Sequence, residues 1–165
     1  MISRRLLMTN AAVALMALRA GHSRAAEVFA VTYSDAEWRK RLTGHQFAVL
    51  RRSATEHPFT SPLLHEKRQG NYACAGCDLD LFSSETKFES GTGWPSFWAP
   101  LENAIGTTED RLFWMVRTEV HCRRCGRHLG HVFDAGPEPT GLRYCINGVA
   151  LSFRPTSSDA HPPSS

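Results

Sequence analysis

Five cysteines carry most of the chemistry that this sequence could perform. Four of them form two CxxC pairs, Cys74 with Cys77 and Cys122 with Cys125, while Cys145 stands alone. A CxxC turn directs both sulfurs to one side, so two such turns can bring four thiolates to one tetrahedral ion. Because four thiolates close the coordination shell, we expect one structural Zn²⁺ per chain that joins two loops and takes no part in catalysis.

The residues that follow the two pairs suit such turns. Gly126 follows the second pair and tolerates a positive φ, and Asp78 after the first pair is a weaker substitute. Two other uses of the pairs stay open. An exported chain could oxidise them to two disulfides. One pair could also be a thioredoxin-like redox motif, although that motif opens a helix in a βαβ unit and neither pair does.

The region before the cysteines is predicted to form two short helices. Ser34 and Glu37 make a capping box ahead of Trp38, and Thr43 and Gln46 repeat it. The second helix is expected to run to about residue 53, before a proline closes the helical part.

From Asn71 onward, short segments rich in β-branched and aromatic residues predict strands. One is expected over Arg111 to Val120, and a long one over Gly141 to Arg154 carries Cys145. No βαβ rhythm appears, so the chain is predicted to be mainly β. Apart from the tryptophan in GWPSF, the tryptophans are expected in the core: Trp38, Trp98 and Trp114.

The first 25 residues are typical of a signal peptide: Arg4 and Arg5, an apolar run from Ala11 to Leu18, and a small-residue site near Ala25. The paired arginines favour the twin-arginine route to the periplasm over an ordinary secretory signal. The apolar run is too short to span a bilayer. We therefore divide the chain into a signal peptide (1–25), one domain (26–154) and a disordered Pro- and Ser-rich tail (155–165).

Removing the signal peptide changes the charge of the chain. The sequence holds 19 Lys and Arg against 16 Asp and Glu, and the signal peptide contains four of the arginines and no acid. The mature chain is thus close to neutral, with one negative charge in excess. This balance gives no reason to expect nucleic acid or an anionic membrane as a partner. Separately, we expect the chain to be a monomer.

Three further strings contain candidate catalytic residues: GTGWPSF at 91–97, HLGHVF at 128–133 and RYCIN at 143–147. Together with both CxxC pairs, they resemble the B-class methionine sulfoxide reductases over a stretch from about Tyr33 to Phe153. The resemblance implies two small antiparallel sheets in an open barrel-like body, with short helices at the N-terminal side. It also implies an enzyme, a peptide-methionine (R)-S-oxide reductase, that acts on oxidised methionine residues of proteins.

The residues themselves suit that reaction. Arg143 lies two positions from Cys145, on the same face of a strand, and can favour the reactive thiolate. A sulfoxide becomes a good electrophile only when its oxygen gains a proton, which His128 or His131 could supply. Attack on sulfur would release methionine and leave a sulfenic acid. The resemblance implies further roles for two residues: Asn147 organises the site, and Trp94 is the wall for the substrate methyl group.

Two departures from the family pattern affect the expected mechanism. Many members have a resolving cysteine in the GxGWPSF loop where this chain has Thr92. We therefore expect the sulfenic acid to be reduced by an external thiol or a thioredoxin-like partner. In addition, the acidic residue that often precedes Gly-Pro is shifted by one to Asp134. This shift would place it on the opposite strand face unless a bulge intervenes.

Two other classes of protein also remain open. An exported β binding module joined by zinc, without enzymatic activity, would explain the CxxC pairs but not Cys145. A zinc-ribbon nucleic-acid binder conflicts with export and with the near-neutral mature charge. Neither class explains why HLGHVF and RYCIN occur together in this sequence.

Overall fold

Both helices begin at the predicted capping boxes. The computed structural model describes residues 27–112 and 114–156, so the predicted signal peptide and most of the predicted tail lie outside the described residues. Helix α1 spans Asp35–Arg41 and helix α2 spans Gly44–Arg52. In each, the N-cap side chain accepts a hydrogen bond from the backbone N–H of the third helical residue, and the side chain of that residue accepts one from the N-cap backbone N–H. The two predicted helices are confirmed.

In the described part of the chain, nine strands follow, separated by turns and three short 3₁₀ segments. They are β1 (Gly70–Cys74), β2 (Asp80–Ser83), β3 (Lys87–Phe88), β4 (Ser96–Phe97), β5 (Ile105–Leu112), β6 (Met115–Cys122), β7 (His128–Phe133), β8 (Arg143–Ile146) and β9 (Leu151–Pro155). The 3₁₀ segments are Pro62–His65, Ser84–Thr86 and Gly148–Ala150. No helix among the described residues is long and apolar enough to cross a bilayer.

The strands form two sheets in which every described pairing is antiparallel. The smaller sheet has the order β2-β1-β9, and the larger has the order β3-β4-β8-β7-β6-β5. Because β3 and β5 remain at opposite edges, the larger sheet does not close into a barrel. The predicted fold class, mainly β with two antiparallel sheets and short N-terminal helices, is confirmed.

Aromatic side chains join the two sheets. Phe82 of the smaller sheet stacks on Phe97 of the larger one with 4.4 Å between ring centroids, and Tyr72 meets Phe97 edge-on at 5.0 Å. All three side chains are fully buried. Such pairs contribute about 0.5–1.5 kcal/mol each beyond the burial of their area. Trp38 of α1 is also fully buried, as predicted, and Trp98 is half-buried.

The strand predicted over Arg111 to Val120 is wrong. The chain reverses between Leu112 and Met115, which pair with each other, and Trp114 at the tip is 88% exposed rather than in the core. Apolar alternation continues across the turn, and no Gly, Pro or Asn marks it, so the sequence pattern is that of one strand.

The long strand predicted over Gly141 to Arg154 is also wrong, because the segment divides into β8 in one sheet and β9 in the other. Gly148 makes the division. A Cβ there would clash with the Ser61 side chain, and its N–H donates to the Glu56 carboxylate at 2.7 Å instead of to a strand. The chain therefore crosses between the sheets just after Cys145.

Candidate active site and metal centre

The four paired cysteines converge on one point. Cys74 Sγ lies 3.7 Å from Cys125 Sγ, Cys77 Sγ lies 3.5 Å from Cys122 Sγ, and all four sulfurs are within 4.8 Å of one another. A tetrahedral zinc site with bonds of ~2.3 Å places its sulfurs about 3.8 Å apart, whereas a disulfide requires about 2.05 Å. The spacing fits a metal centre, and the cysteines are free thiols.

The two CxxC turns have the same backbone geometry. Asp78 has a φ of 60° and donates its N–H to the Cys74 carbonyl at 2.8 Å. Gly126 has a φ of 67° and donates to the Cys122 carbonyl at 2.8 Å. The predicted left-handed positions after both pairs are confirmed, and they fold each pair so that its sulfurs face the other pair.

The four cluster thiols influence one another's charge state. Hydrogen bonding among the thiols raises the pKa of Cys74 and Cys125 and lowers the pKa of Cys77 and Cys122. Four thiolates this close would repel one another strongly, so a divalent ion between them is needed for all four to ionise. Four sulfur ligands in a closed tetrahedral arrangement suit a thiophilic metal in a structural role.

Cys145 occupies a separate cavity of about 150 Å³. In the larger sheet it pairs with Ser96 on one side and with His131 on the other. Its cavity is also lined by Trp94 and Asn147, so the structure brings four of the six predicted site residues together. None of the cluster cysteines lines this cavity.

The Cys145 thiol is half-buried, and burial raises its pKa above the usual value. Its Sγ lies 4.0 Å from the Thr92 hydroxyl. Hydrogen bonding to Thr92 and the charge of Arg143 act in the opposite direction and lower the pKa, but they do not outweigh burial. The expected influence of Arg143 is therefore present. The thiol nevertheless rests protonated, because desolvation disfavours the anion.

A β-bulge places the two histidines of HLGHVF together. Residues three apart in a regular strand point to opposite faces. Here His128 pairs with His121 while Gly130 pairs with the adjacent Val120, so Leu129 is an extra residue in β7. The bulge brings the His128 and His131 rings to 5.4 Å between centroids. His131 lines the Cys145 cavity, whereas His128 lines the neighbouring one.

Each histidine is held by a carboxylate on the β5–β6 hairpin. His128 Nδ1 donates to Glu119 Oε1 at 2.7 Å, and His131 Nε2 donates to Asp110 Oδ2 at 2.9 Å. Arg117 also donates to Asp110 at 2.6 Å. These bonds lower the pKa of both carboxyl groups. All three hairpin residues were absent from the predicted site, because one strand was expected where the hairpin folds Asp110 back beside Arg117.

Burial lowers the pKa of His131, and the charges of Arg117 and His128 lower it further, although the hydrogen bond to Asp110 partly offsets them. His131 is therefore neutral at pH 7. A neutral ring that donates Nε2–H to Asp110 keeps Nδ1 as a proton acceptor. Asp134 is exposed beyond the end of β7 and is not a partner of either histidine.

Glu56 connects the remaining two site residues. Its carbonyl accepts a hydrogen bond from Trp94 Nε1 at 3.0 Å, and its N–H donates to Asn147 Oδ1 at 2.8 Å. Asn147 Nδ2 in turn donates to the Leu129 carbonyl at 2.9 Å, in the bulge. Glu56 was not among the predicted site residues. The only sequence feature that could have pointed to it was the TEHPF string at 55–59.

Fold and site together define a small two-sheet β protein that separates a tetracysteine metal centre from a single pocket thiol backed by paired histidines. Comparison with known proteins agrees. A family model described as the SelR domain matches residues 42–155. The chain belongs to this family, the B-class methionine sulfoxide reductases.

Three relatives carry the name peptide methionine sulfoxide reductase MsrB. The protein of Pseudomonas putida (strain W619) is 57% identical over 120 residues, which cover 72% of this chain and 90% of the relative. That of Methanosarcina barkeri is 54% identical over 126 residues, covering 76% and 89%. That of Agrobacterium fabrum is 52% identical over 126 residues, covering 76% and 93%.

Proposed function

We propose that this chain reduces the R epimer of methionine sulfoxide in proteins, with Cys145 as the nucleophile. Family membership supports the reduction of methionine sulfoxide. The observation that carries the residue assignment is the position of Cys145. It is the one described cysteine outside the tetracysteine cluster, and its cavity also contains His131, Trp94 and Asn147.

The first half of the reaction transfers one oxygen atom and two electrons. Cys145 sulfur attacks the sulfoxide sulfur and forms a transient sulfur–sulfur bond. This bond and the sulfur–oxygen bond of the substrate then break, and the oxygen ends on Cys145 as a sulfenic acid. Methionine is reduced and the cysteine is oxidised. The proton of the resting thiol passes through His131 to the sulfoxide oxygen, so the step neither consumes nor releases a net proton.

The other site residues orient the substrate and the acid. Trp94 offers an aromatic face to the methyl group of the sulfoxide, and Asn147 fixes the bulge behind His131. Arg143 stabilises the thiolate as it forms, against the effect of burial. Glu119 holds the His128 ring. The charge of His128 lowers the pKa of His131, and His128 also assists in holding the sulfoxide oxygen.

The second half of the reaction requires thiols from outside the chain. The neighbour at 4.0 Å from Cys145 is the hydroxyl of Thr92, which cannot form a disulfide. One external thiol condenses with the sulfenic acid and releases water, and a second thiol then displaces Cys145 and leaves as the disulfide. A small thiol or a thioredoxin-like protein suits this role.

We further propose that the metal in the tetracysteine cluster is one structural Zn²⁺, held by Cys74, Cys77, Cys122 and Cys125. When bound, zinc supplies no chemistry to the reaction and joins the β1–β2 turn to the β6–β7 turn. The sulfur spacing and the two matching turns support this assignment.

An assay with separate sulfoxide epimers tests the proposed activity. The purified protein is incubated with dithiothreitol and either the R or the S epimer of N-acetyl-methionine sulfoxide, and methionine release is measured by chromatography. We expect turnover of the R epimer alone and about one zinc per chain by metal analysis. Turnover of the S epimer alone, or of neither, would contradict the proposal.

Export is a separate proposal, since residues 1–25 lie outside the described residues. We propose that the twin-arginine pair directs the folded, metal-loaded chain to the periplasm, which would protect the four thiolates from oxidation on the way. Changing Arg4 and Arg5 to Lys should keep the chain in the cytoplasm, as cell fractionation would show. Unchanged export of that variant would refute the twin-arginine route.

A further inference from the structure

One large cavity in the described part of the chain lies outside the reaction pocket. It is a groove of about 510 Å³ between α2 and the segment 54–60, more than three times the volume of the Cys145 cavity. Five of its nine lining residues are polar, and the other four are apolar: Ala48, Val49, Ala54 and Val149. The mechanism above uses none of them. We call this cavity the α2 groove.

The α2 groove borders the reaction pocket. Thr55 lines both cavities. Glu56 lines the groove, and its carbonyl holds Trp94, the proposed wall for the substrate methyl group, at 3.0 Å. Val149 lies two positions after Asn147, and its N–H faces the Glu56 carboxylate at 3.4 Å. A substrate seated against Trp94 therefore lies beside the segment that forms one side of the groove.

The two cavities differ in what they can hold. The Cys145 cavity suits one side chain, so the neighbouring residues of a polypeptide substrate must lie across the adjacent surface. Oxidation turns an apolar methionine into a polar residue and disrupts the packing around it. The segments released in this way are rich in apolar side chains, which are the groups that gain most from burial in an apolar groove.

We propose that the α2 groove is a subsite for an apolar side chain within a few residues of the oxidised methionine. The inference rests on the proposed function and deepens it. It assigns the preferred substrate as a methionine sulfoxide that has an apolar side chain nearby in the same polypeptide.

A peptide series tests the subsite directly. Blocked five-residue peptides carry methionine R-sulfoxide at the centre, with alanine at all flanking positions or with leucine at one of them in turn. We expect one leucine position to raise kcat/KM about tenfold over the all-alanine peptide, since burial of a Leu side chain accounts for a change of that size. No preference at any position would overturn the inference.

Two matched variants locate the preference in the groove. Ala48→Phe fills the groove and should reduce the leucine-to-alanine ratio of kcat/KM to about twofold or less. Ala36→Phe makes the same change at an exposed position of α1, outside the groove, and should keep the full ratio. An unaltered ratio in the Ala48 variant, or equal loss in both variants, would refute the assignment.

A third variant provides a gain of function that misfolding cannot imitate. Ala48→Glu places a carboxylate in the groove, so a peptide with lysine at the preferred position should become better than its leucine counterpart. A continued preference for leucine would contradict the proposal. Turnover of N-acetyl-methionine R-sulfoxide by the wild type separates the two ideas: without it the proposed function fails, and with it but no flanking preference only the subsite fails.

Discussion

The tetracysteine cluster and the Cys145 pocket place the same side chain in two opposite situations. In the cluster, four sulfurs lie within 4.8 Å of one another, and three of the four cysteines are fully buried. In the pocket, one half-buried thiol faces an open cavity with His131. Four sulfurs can satisfy a metal completely, whereas a single thiol beside a proton acceptor remains available to a substrate.

In these two regions, the number and polarity of the groups around each cysteine determine the chemistry of its sulfur. All four cluster thiols become thiolates together only with a cation between them. Burial keeps Cys145 protonated, Thr92 and Arg143 favour its thiolate, and His131 on the neighbouring strand is the proposed proton acceptor. Predictions that exchange or weaken these neighbours test the division between the two regions.

Replacing the pocket thiol should have the largest effect. Cys145→Ser removes the nucleophile, so we expect the kcat for the R-sulfoxide to fall by roughly 10³-fold or more. Metal content and thermal midpoint should remain within error of the wild type, because the cluster is untouched. Measurable turnover with dithiothreitol above about a hundredth of the wild-type rate would show that another cysteine is the nucleophile.

Replacing a cluster cysteine should affect the fold instead. Cys122→Ser leaves three sulfur ligands, and structural zinc sites bind with apparent free energies of about 10–16 kcal/mol that contribute to folding. We expect metal loss and a broad, early thermal transition. Metal analysis measures the metal content, and calorimetry measures the thermal transition. One metal ion per chain with an unchanged midpoint would mean that the cluster does not hold the fold together.

The hairpin carboxylate that holds His131 should matter less than the histidine itself. We expect His131→Gln to lower kcat about 10²-fold or more, since it removes the proton relay. Asp110→Asn, which only loosens the orientation of the ring, should lower kcat about tenfold. Asp134→Asn is the matched control, and it should leave kcat unchanged because Asp134 is exposed and contacts neither histidine. A larger effect at Asp134 than at Asp110 would reverse the assignment.

The smallest expected effect is a pH dependence of stability. Burial lowers the pKa of His131 in the folded state, so the unfolded chain binds more protons as pH falls through the ordinary histidine range near 6.5. The contribution of His131 is therefore present above that range and lost below it. Asp110 stays ionised in both states between pH 5.5 and 7.5, because its folded pKa is lowered.

Urea unfolding at pH 7.5 and 5.5 measures this effect. The wild type should lose more unfolding free energy than His131→Gln when the pH is lowered, because only the wild type must charge a buried imidazole. Equal losses in both proteins would show that His131 titrates as freely in the folded chain as in the unfolded one.

Local signals in the sequence were sufficient for the features that depend on neighbouring residues. Capping boxes at Ser34 and Thr43 start the helices, and the CxxC turns with Asp78 and Gly126 form as predicted. Each of these features is complete within a few positions, so its residue types determine it. The convergence of two distant CxxC pairs was also predictable, because only together can they surround an ion.

Features that depend on tertiary structure could not be predicted in the same way. The turn before Met115 lacks turn residues, and the extra residue Leu129 in β7 is ordinary in sequence. Both change which side chains meet, so the partners Asp110 and Glu119 were missed. The pKa of Cys145 shows the same limit, since the opposing charge of Arg143 is visible in the sequence while the burial that outweighs it is not.

Cys145 is proposed to be the only cysteine of the chain that reacts, while the cluster takes no part in turnover. A single turnover without reductant tests it most directly: metal-loaded protein receives one equivalent of R-sulfoxide, and dimedone labelling, disulfide mapping and metal release are measured together. Thr92→Cys, with its sulfur beside Cys145, is the matched positive control for a disulfide. We predict about one dimedone adduct at Cys145 per methionine formed, with all metal retained. A disulfide between Cys145 and a cluster cysteine, accompanied by metal release, would contradict the account.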